Sequence, residues 1–161
     1  MSLKFIVKPS FAVMGIEGSG PAAESVSWIK PLWAEASRHF NEIRGEVVGP
    51  GWGLMSHPAR FLDRWTDQGK YLAGWEVNQA AAARGRWSFW PVPAGIYAVI
   101  ECTVKTYQEA MLLAEKSLQT DAHYEAAGAI HEHYPSTFKN PATDAFFLYV
   151  AVKKTLPRGE S

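Results

Sequence analysis

The chain has 161 residues, 47% of them hydrophobic, which suits one globular domain with a single core. Its sixteen basic residues balance sixteen acidic ones without any basic run, so the composition argues against a nucleic-acid partner. The single cysteine, Cys102, excludes an internal disulfide and a thiolate zinc site. Because no segment resembles a signal peptide or a membrane span, we expect a soluble, cytoplasmic protein without a membrane partner.

The first half of the chain alternates between strand and helix patterns. Apolar residues alternate with lysines from Leu3 and resume after Pro9, a residue tolerated at a strand edge or bulge. Helical spacing follows a glycine-rich break, with Pro31 expected near the first turn, where backbone N–H groups have no partner. The half is thus predicted to contain a strand over 3–17, a helix over 27–43, and strands over 52–57 and 71–77.

The second half repeats this order after an alanine- and proline-containing connection. The sequence from Thr106 to Glu109 has the capping-box pattern, which predicts the start of a helix at Thr106. An apolar run before it predicts a buried strand that carries the carboxylate of Glu101 near its end. The predicted elements are a crossover connection over 79–93, a strand over 96–102, a helix over 106–119, and strands over 128–135 and 146–153.

Two strand pairs are separated by the same number of positions, which suggests an internal duplication. Gly53 lies 75 positions before Gly128, and Tyr71 lies 75 positions before Phe146. We therefore predict one α+β domain of two tandem βαββ repeats with pseudo-two-fold symmetry, over about 1–78 and 94–155 with 79–93 as linker. Such units form an antiparallel sheet with helices on one face, and a ligand cleft is expected between the halves.

Several segments resemble the GyrI-like small-molecule-binding family, the effector-binding domain that is also attached to AraC-type and MerR-type transcription regulators. They are Val13 to Ile16, Leu32 and Trp33, Tyr71 to Val77, Val92 to Val99, Glu132 and Tyr134, and Leu148 to Val152. The resemblance implies two βαββ repeats around an aromatic-lined pocket that contains an acidic residue and binds hydrophobic, often cationic, drugs. Since no helix-turn-helix segment precedes Leu3, we expect a stand-alone member.

Glu132 is the main candidate anchor because it occupies the family's Glu-x-Tyr position. Strand alternation places it with Ile130 and Tyr134, and a carboxylate among apolar neighbours has a raised pKa that suits cation binding or general-base catalysis. The alternative is a structural glutamate tied to the backbone or to a tyrosine. Glu101 is a second candidate acid, predicted to face the same cleft, although its strand could equally emerge into solvent there.

Aromatic side chains are expected to line the pocket, where they could stack on a planar ligand or hold a cation. The candidates are Tyr71, Trp75, Trp90, Tyr97, Tyr134 and Tyr149. Trp33 is assigned to helix packing. His131 and His133 point the same way on their strand as some metal ligands do, but without a third ligand we predict neither a metal nor a cofactor.

The first functional hypothesis is binding of a hydrophobic, aromatic small molecule, with or without a positive charge. The alternative is a cofactor-independent hydrolase that opens the cyclopropane ring of DNA-alkylating toxins, as some stand-alone relatives are implied to do. In that case Glu132 or Glu101 acts as the base while Trp75 or a tyrosine positions the electrophile. A weaker alternative, after another implied relative, is an interaction protein of the gyrase-inhibitor type.

Overall fold

One eight-stranded antiparallel sheet carries both helices, and a computed structural model describes it over residues 2–156. The strands are β1 (Lys4–Lys8), β2 (Phe11–Pro21), β3 (Val47–Ser56), β4 (Gln68–Val77), β5 (Ser88–Val92), β6 (Gly95–Cys102), β7 (Tyr124–Tyr134) and β8 (Phe146–Lys154). The helices are α1 (Ser25–Arg38) and α2 (Tyr107–Thr120). The strand order is β1-β6-β8-β7-β3-β4-β2-β5, so the predicted α+β class and antiparallel sheet are confirmed.

The two halves meet at the centre of the sheet, where β3 pairs with β7. In this pairing Gly51 lies opposite Tyr134 and Gly53 lies opposite Glu132. Strand β1, at the start of the chain, pairs with β6 of the second half, and β5, from the connection 79–93, pairs with β2 of the first half. Side chains from both halves therefore converge at the central pair.

The strand register does not follow the constant offset of 75 positions. Leu54 pairs with Leu72 in the first half. The residues 75 positions later are Ala129 and Phe147, but Phe147 pairs with His133, four positions further along. A register shift within β7 accompanies this difference, so the equal spacing in the sequence does not correspond to equivalent positions in the sheet.

Helix α1 begins and ends earlier than its predicted bounds. A 3₁₀ turn precedes Ser25, and Pro31 therefore lies inside the helix rather than in its first turn. The hydroxyl of Ser27, in the first turn, donates to the carbonyl oxygen of Glu24 at 2.7 Å. After Arg38 the chain continues in two short 3₁₀ turns, which extend the apparent helical pattern to about residue 46.

Helix α2 has nearly its predicted bounds, but its N-terminus is not capped in the predicted way. The Thr106 hydroxyl accepts a hydrogen bond from the backbone N–H of Thr103 at 2.9 Å, and no side chain caps the helix, so the capping box is wrong. Ala110, Ala114 and Leu118 are buried against the sheet. Within residues 2–156, no helix is both long and apolar enough to cross a membrane.

Two segments predicted as breaks or connections belong to the sheet. Strand β2 continues through Gly18 and Gly20 because these glycines leave room for α1, where added Cβ atoms would contact Leu32 and Trp28 at 2.8 and 2.6 Å. The connection 79–93 contains β5, an edge strand that pairs with β2. Pro91 is compatible with this position, because an edge strand leaves some backbone groups without a partner strand.

The sheet separates two layers of packed side chains. Helix α1 packs on β2 and β4, and α2 packs on β6, β7 and β8, both on one face that we call the helix face. The opposite face has its own apolar cluster, which consists of Phe11, Val13, Trp52, Leu54, Leu72, Trp90 and Val92. The face on which a side chain lies therefore decides whether it can meet Glu132.

Candidate functional site

The carboxylate of Glu132 lies buried at the centre of the helix face, with only 8% of the residue exposed. Its Oε1 accepts hydrogen bonds from the phenol of Tyr71 at 2.5 Å and from that of Tyr134 at 2.8 Å. Its Oε2 accepts one from the phenol of Tyr107 at 3.1 Å. Three phenols from β4, β7 and α2 therefore surround one carboxylate, and we call this group the phenol cage.

A glycine on β3 makes the phenol cage possible. Gly53 lies directly opposite Glu132 in the sheet. A Cβ atom at this position would overlap the Tyr71 hydroxyl and lie 2.6 Å from Glu132 Oε1. The missing side chain thus allows Tyr71 to reach across β3 to the carboxylate.

Helix α1 contributes a tryptophan that fixes the direction of the hydrogen bonds. The indole N–H of Trp33 donates to the Tyr71 hydroxyl at 2.9 Å, and Tyr71 in turn donates to Glu132. The Trp33 ring also meets Tyr134 and Trp75 edge to face, at centroid distances of 5.4 and 5.9 Å. Because indole can only donate, Tyr71 is kept as a donor toward the carboxylate.

Burial raises the pKa of the Glu132 carboxyl, and the three phenol hydrogen bonds oppose that rise in part. The pKa values of Tyr71 and Tyr134 are raised by burial and by the negative charge of Glu132, so both phenols remain protonated donors. Within residues 2–156, no basic side chain contributes to the shift at Glu132. Glu132 therefore lies among neutral groups, and its burial opposes the charged form of the carboxyl.

The two carboxylate oxygens differ in how fully they are hydrogen-bonded. A carboxylate has about four lone-pair positions, of which the phenols fill two on Oε1 and one on Oε2. Cys102 is buried, and its pKa is raised to about 12, mainly by burial and to a smaller extent by the charges of Glu132 and Glu101. Its thiol therefore stays protonated at neutral pH. Among the described residues, Oε1 accepts two hydrogen bonds and Oε2 accepts one, so the remaining acceptor capacity of the carboxylate belongs to Oε2.

The structure brings together three of the residues predicted to bind ligand, namely Glu132, Tyr71 and Tyr134. Trp75 lies beside them through its contact with Trp33. Tyr107, Trp33 and Gly53 were missed as site residues. Tyr107 and Trp33 have ordinary helix-packing positions in the sequence, and only the glycine between large apolar residues of a predicted strand was a local signal.

Glu101 does not share a cleft with Glu132, so that expectation is wrong. The alternation along β6 does place Glu101 with Tyr97 away from α2, but Glu132 is on the helix face and Glu101 is on the opposite face. Glu101 is exposed and lines a shallow groove of about 350 Å³ with Lys4, Val99 and Phe147.

Tyr97, Tyr149 and Trp90 also lie on the opposite face, so the prediction that they share a pocket with Glu132 is wrong. The Tyr97 and Tyr149 rings are 5.6 Å apart, and Tyr149 stacks on His133 at 5.3 Å. The indole N–H of Trp90 donates to Glu17 Oε1 at 2.7 Å. Alternation shows which residues of one strand share a face. It does not show which face of each strand packs against the helices.

The two histidines beside Glu132 have structural partners. Nδ1 of His131 accepts a hydrogen bond from the backbone N–H of Met55 at 3.1 Å, and burial lowers its pKa to about 4, so the ring is neutral. His133 packs between Trp52 and Tyr149. In the described part of the chain, no three His, Cys, Asp or Glu side chains are grouped as metal ligands would be.

The curled sheet, its two helices and the buried acid with its phenol cage define an α+β domain built around an interior polar site. The chain belongs to the GyrI-like family, since the sequence model of the family described as the GyrI-like small molecule binding domain matches residues 1–153. No curated protein sequence matches the chain significantly.

Solved structures share this fold at low sequence identity. SAV2435 bound to tetraphenylphosphonium gives a TM-score of 0.71 at 13% identity, over 95% of this chain and 94% of its own. The EcmrR C-terminal domain gives 0.67 at 12% identity, over 96% and 98% of the chains. A putative transcription regulation protein from Staphylococcus aureus MU50 gives 0.68 at 13% identity, over 95% and 99%.

Proposed function

We propose that this domain binds a lipophilic, aromatic cation at the phenol cage, with Glu132 as its anionic anchor. The observation that carries the proposal is a carboxylate with 8% exposure whose side-chain partners, among residues 2–156, are all neutral phenols. A buried charge is normally paired with an opposite charge, because desolvation otherwise favours the neutral form. A bound cation would supply that missing charge.

The aromatic neighbours suit such a ligand. Cations bind favourably over the faces of Trp and Tyr rings, and Trp33, Trp75 and Tyr134 are all partly exposed beside the carboxylate. The phenols occupy the space around Glu132, so binding requires Tyr134 or Tyr107, which are also partly exposed, to rotate away. The related fold of SAV2435, solved with tetraphenylphosphonium, supports this ligand class.

The proposal is tested by comparing two probes of the same shape and opposite charge. Tetraphenylphosphonium and tetraphenylborate are titrated against the protein while tryptophan fluorescence is followed, since Trp33 and Trp75 lie at the site. We expect the cation to bind and the anion to bind at least about ten-fold more weakly, a difference of about 1.4 kcal/mol. Equal affinities for the two probes would remove the electrostatic basis of the proposal.

A second candidate function is the opening of a strained cyclopropane ring by water without a cofactor. The observation that favours it is that Glu132 Oε2 accepts a single hydrogen bond from the described residues, which leaves a position that could take a proton from a bound water. The raised pKa of the carboxyl would make it a better base than an exposed glutamate. Incubation of a cyclopropane-bearing alkylating agent with substoichiometric protein should then give more than one equivalent of hydrated product, whereas a binding protein gives none above the blank.

A further inference from the structure

A second concave surface lies on the helix face, between the C-terminal half of α2 and strands β7 and β8. Its volume is about 470 Å³, within the range of small-molecule sites. The floor is purely aliphatic and consists of Ala114, Leu118, Ala126, Ile130 and Val150. The surroundings of Glu132 are instead aromatic. We call this surface the aliphatic groove.

One residue of the groove floor, Ile130, lies near the phenol cage. Ile130 and Glu132 are two residues apart on the same face of β7, and a strand rises about 3.3 Å per residue, so their Cα atoms are about 7 Å apart. Ile130, Tyr107 and Ala114 also belong to one packed cluster. One elongated molecule could therefore contact both surfaces.

The rim of the groove carries charged groups, and Glu125 on it pairs with Lys153 at 3.4 Å. Glu115 and Glu125 line it together with Arg64. Arg64 pairs with Glu115 at 3.4 Å and so connects the β3–β4 loop to α2 across the groove. Both side chains are nearly half exposed, and ion pairs of this kind are weak enough to open readily.

We propose that the aliphatic groove holds the unbranched alkyl chain of a cationic amphiphile whose head group lies at Glu132, with the Arg64–Glu115 pair closing over the chain. The head-group part rests on the function proposed above. The chain part rests on the aliphatic floor, the volume of the groove and its position beside Ile130. The ligand class therefore includes cations that carry an unbranched alkyl chain as well as the aryl cations proposed above.

The experiment measures the affinity of butyl-, hexyl-, octyl- and decyltrimethylammonium below their micelle concentrations by calorimetry. Burial of each added methylene should tighten binding about four-fold until the groove is full. Ala126→Trp fills the floor of the groove and should abolish this dependence on chain length. Gln119→Trp, at the exposed rim, gives the same test if Ala126→Trp fails to fold.

The matched control is Leu112→Trp, which adds the same ring to an exposed position of α2 outside the groove and should preserve the chain-length dependence. A flat series in the wild-type protein overturns the groove proposal, even if tetraphenylphosphonium still binds and the function proposed above stands. If no cation binds, the head-group assignment fails together with that function. Neutral n-alkanols of the same lengths then test the chain part alone, and the absence of length-dependent binding by them overturns it too.

Discussion

Replacing Gly53 by alanine should disrupt the phenol cage from the opposite strand. The new Cβ would overlap the Tyr71 hydroxyl and come within 2.6 Å of Glu132 Oε1, so the phenol must leave the carboxylate. Losing a hydrogen bond to a charged group costs about 1.5–3 kcal/mol, and overpacking costs about 1–3 kcal/mol. We therefore expect the free energy of unfolding to fall by about 3–5 kcal/mol, a large part of the about 5–15 kcal/mol typical of a domain.

Urea unfolding followed by tryptophan fluorescence measures this loss. Gly45→Ala is the matched control, because no atom lies within 4 Å of a Cβ at Gly45, and it should change stability by less than about 0.5 kcal/mol. Combining Gly53→Ala with Tyr71→Phe removes the overlapping hydroxyl, so the double variant should lose less than the sum of the two single losses. A Gly53→Ala protein as stable as Gly45→Ala would refute the close approach of β3, Tyr71 and Glu132.

Two further predictions concern the neighbours of the phenol cage. Because the folded-state pKa of His131 is about 4, below its ordinary 6.5, the unfolded chain takes up a proton first as the pH falls. This group's stabilising contribution is complete above about pH 6.5, and about 3 kcal/mol is lost by about pH 4. The stability difference between wild type and His131→Gln in urea should therefore shrink over this interval, and a constant difference would contradict neutral burial. Trp33→Phe removes the donor to Tyr71 and should lower stability by about 1 kcal/mol, whereas Trp28→Phe, which loses a more exposed indole hydrogen bond, should cost less in the same assay; equal losses would contradict a special role for Trp33.

Local periodicity was sufficient to predict most elements of the sheet and the side of β7 on which Glu132 lies. Alternation along a strand depends only on backbone geometry, so it correctly grouped Glu132 with Ile130 and Tyr134. It could not show that β1 pairs with β6, since that pairing joins residues nearly a hundred positions apart. For the same reason it could not show that Glu132 lies on the helix face, whereas Glu101, which alternation does place away from the helices, lies on the opposite face.

Some residues of the phenol cage could also be predicted from the sequence, and others could not. Tyr71 and Tyr134 lie on strands whose pattern is clear, whereas Tyr107 and Trp33 are indistinguishable from core residues of amphipathic helices until the helices are placed on the sheet. Gly53 is informative only when its partner across the strand pair is known. The parts of the site that could not be predicted are therefore those determined by contacts between distant segments.

In the proposed function, the negative charge of Glu132 anchors a cationic ligand. The most direct test of this anchor role is the dissociation constant of tetraphenylphosphonium, measured by calorimetry at pH 7 for wild type, Glu132→Gln and the exposed control Glu101→Gln on the opposite face. Removing one partner of a buried charge pair typically costs about 2–5 kcal/mol, so Glu132→Gln should weaken binding by at least about ten-fold while Glu101→Gln leaves it unchanged. Wild-type affinity in a folded Glu132→Gln protein would contradict the anchor role.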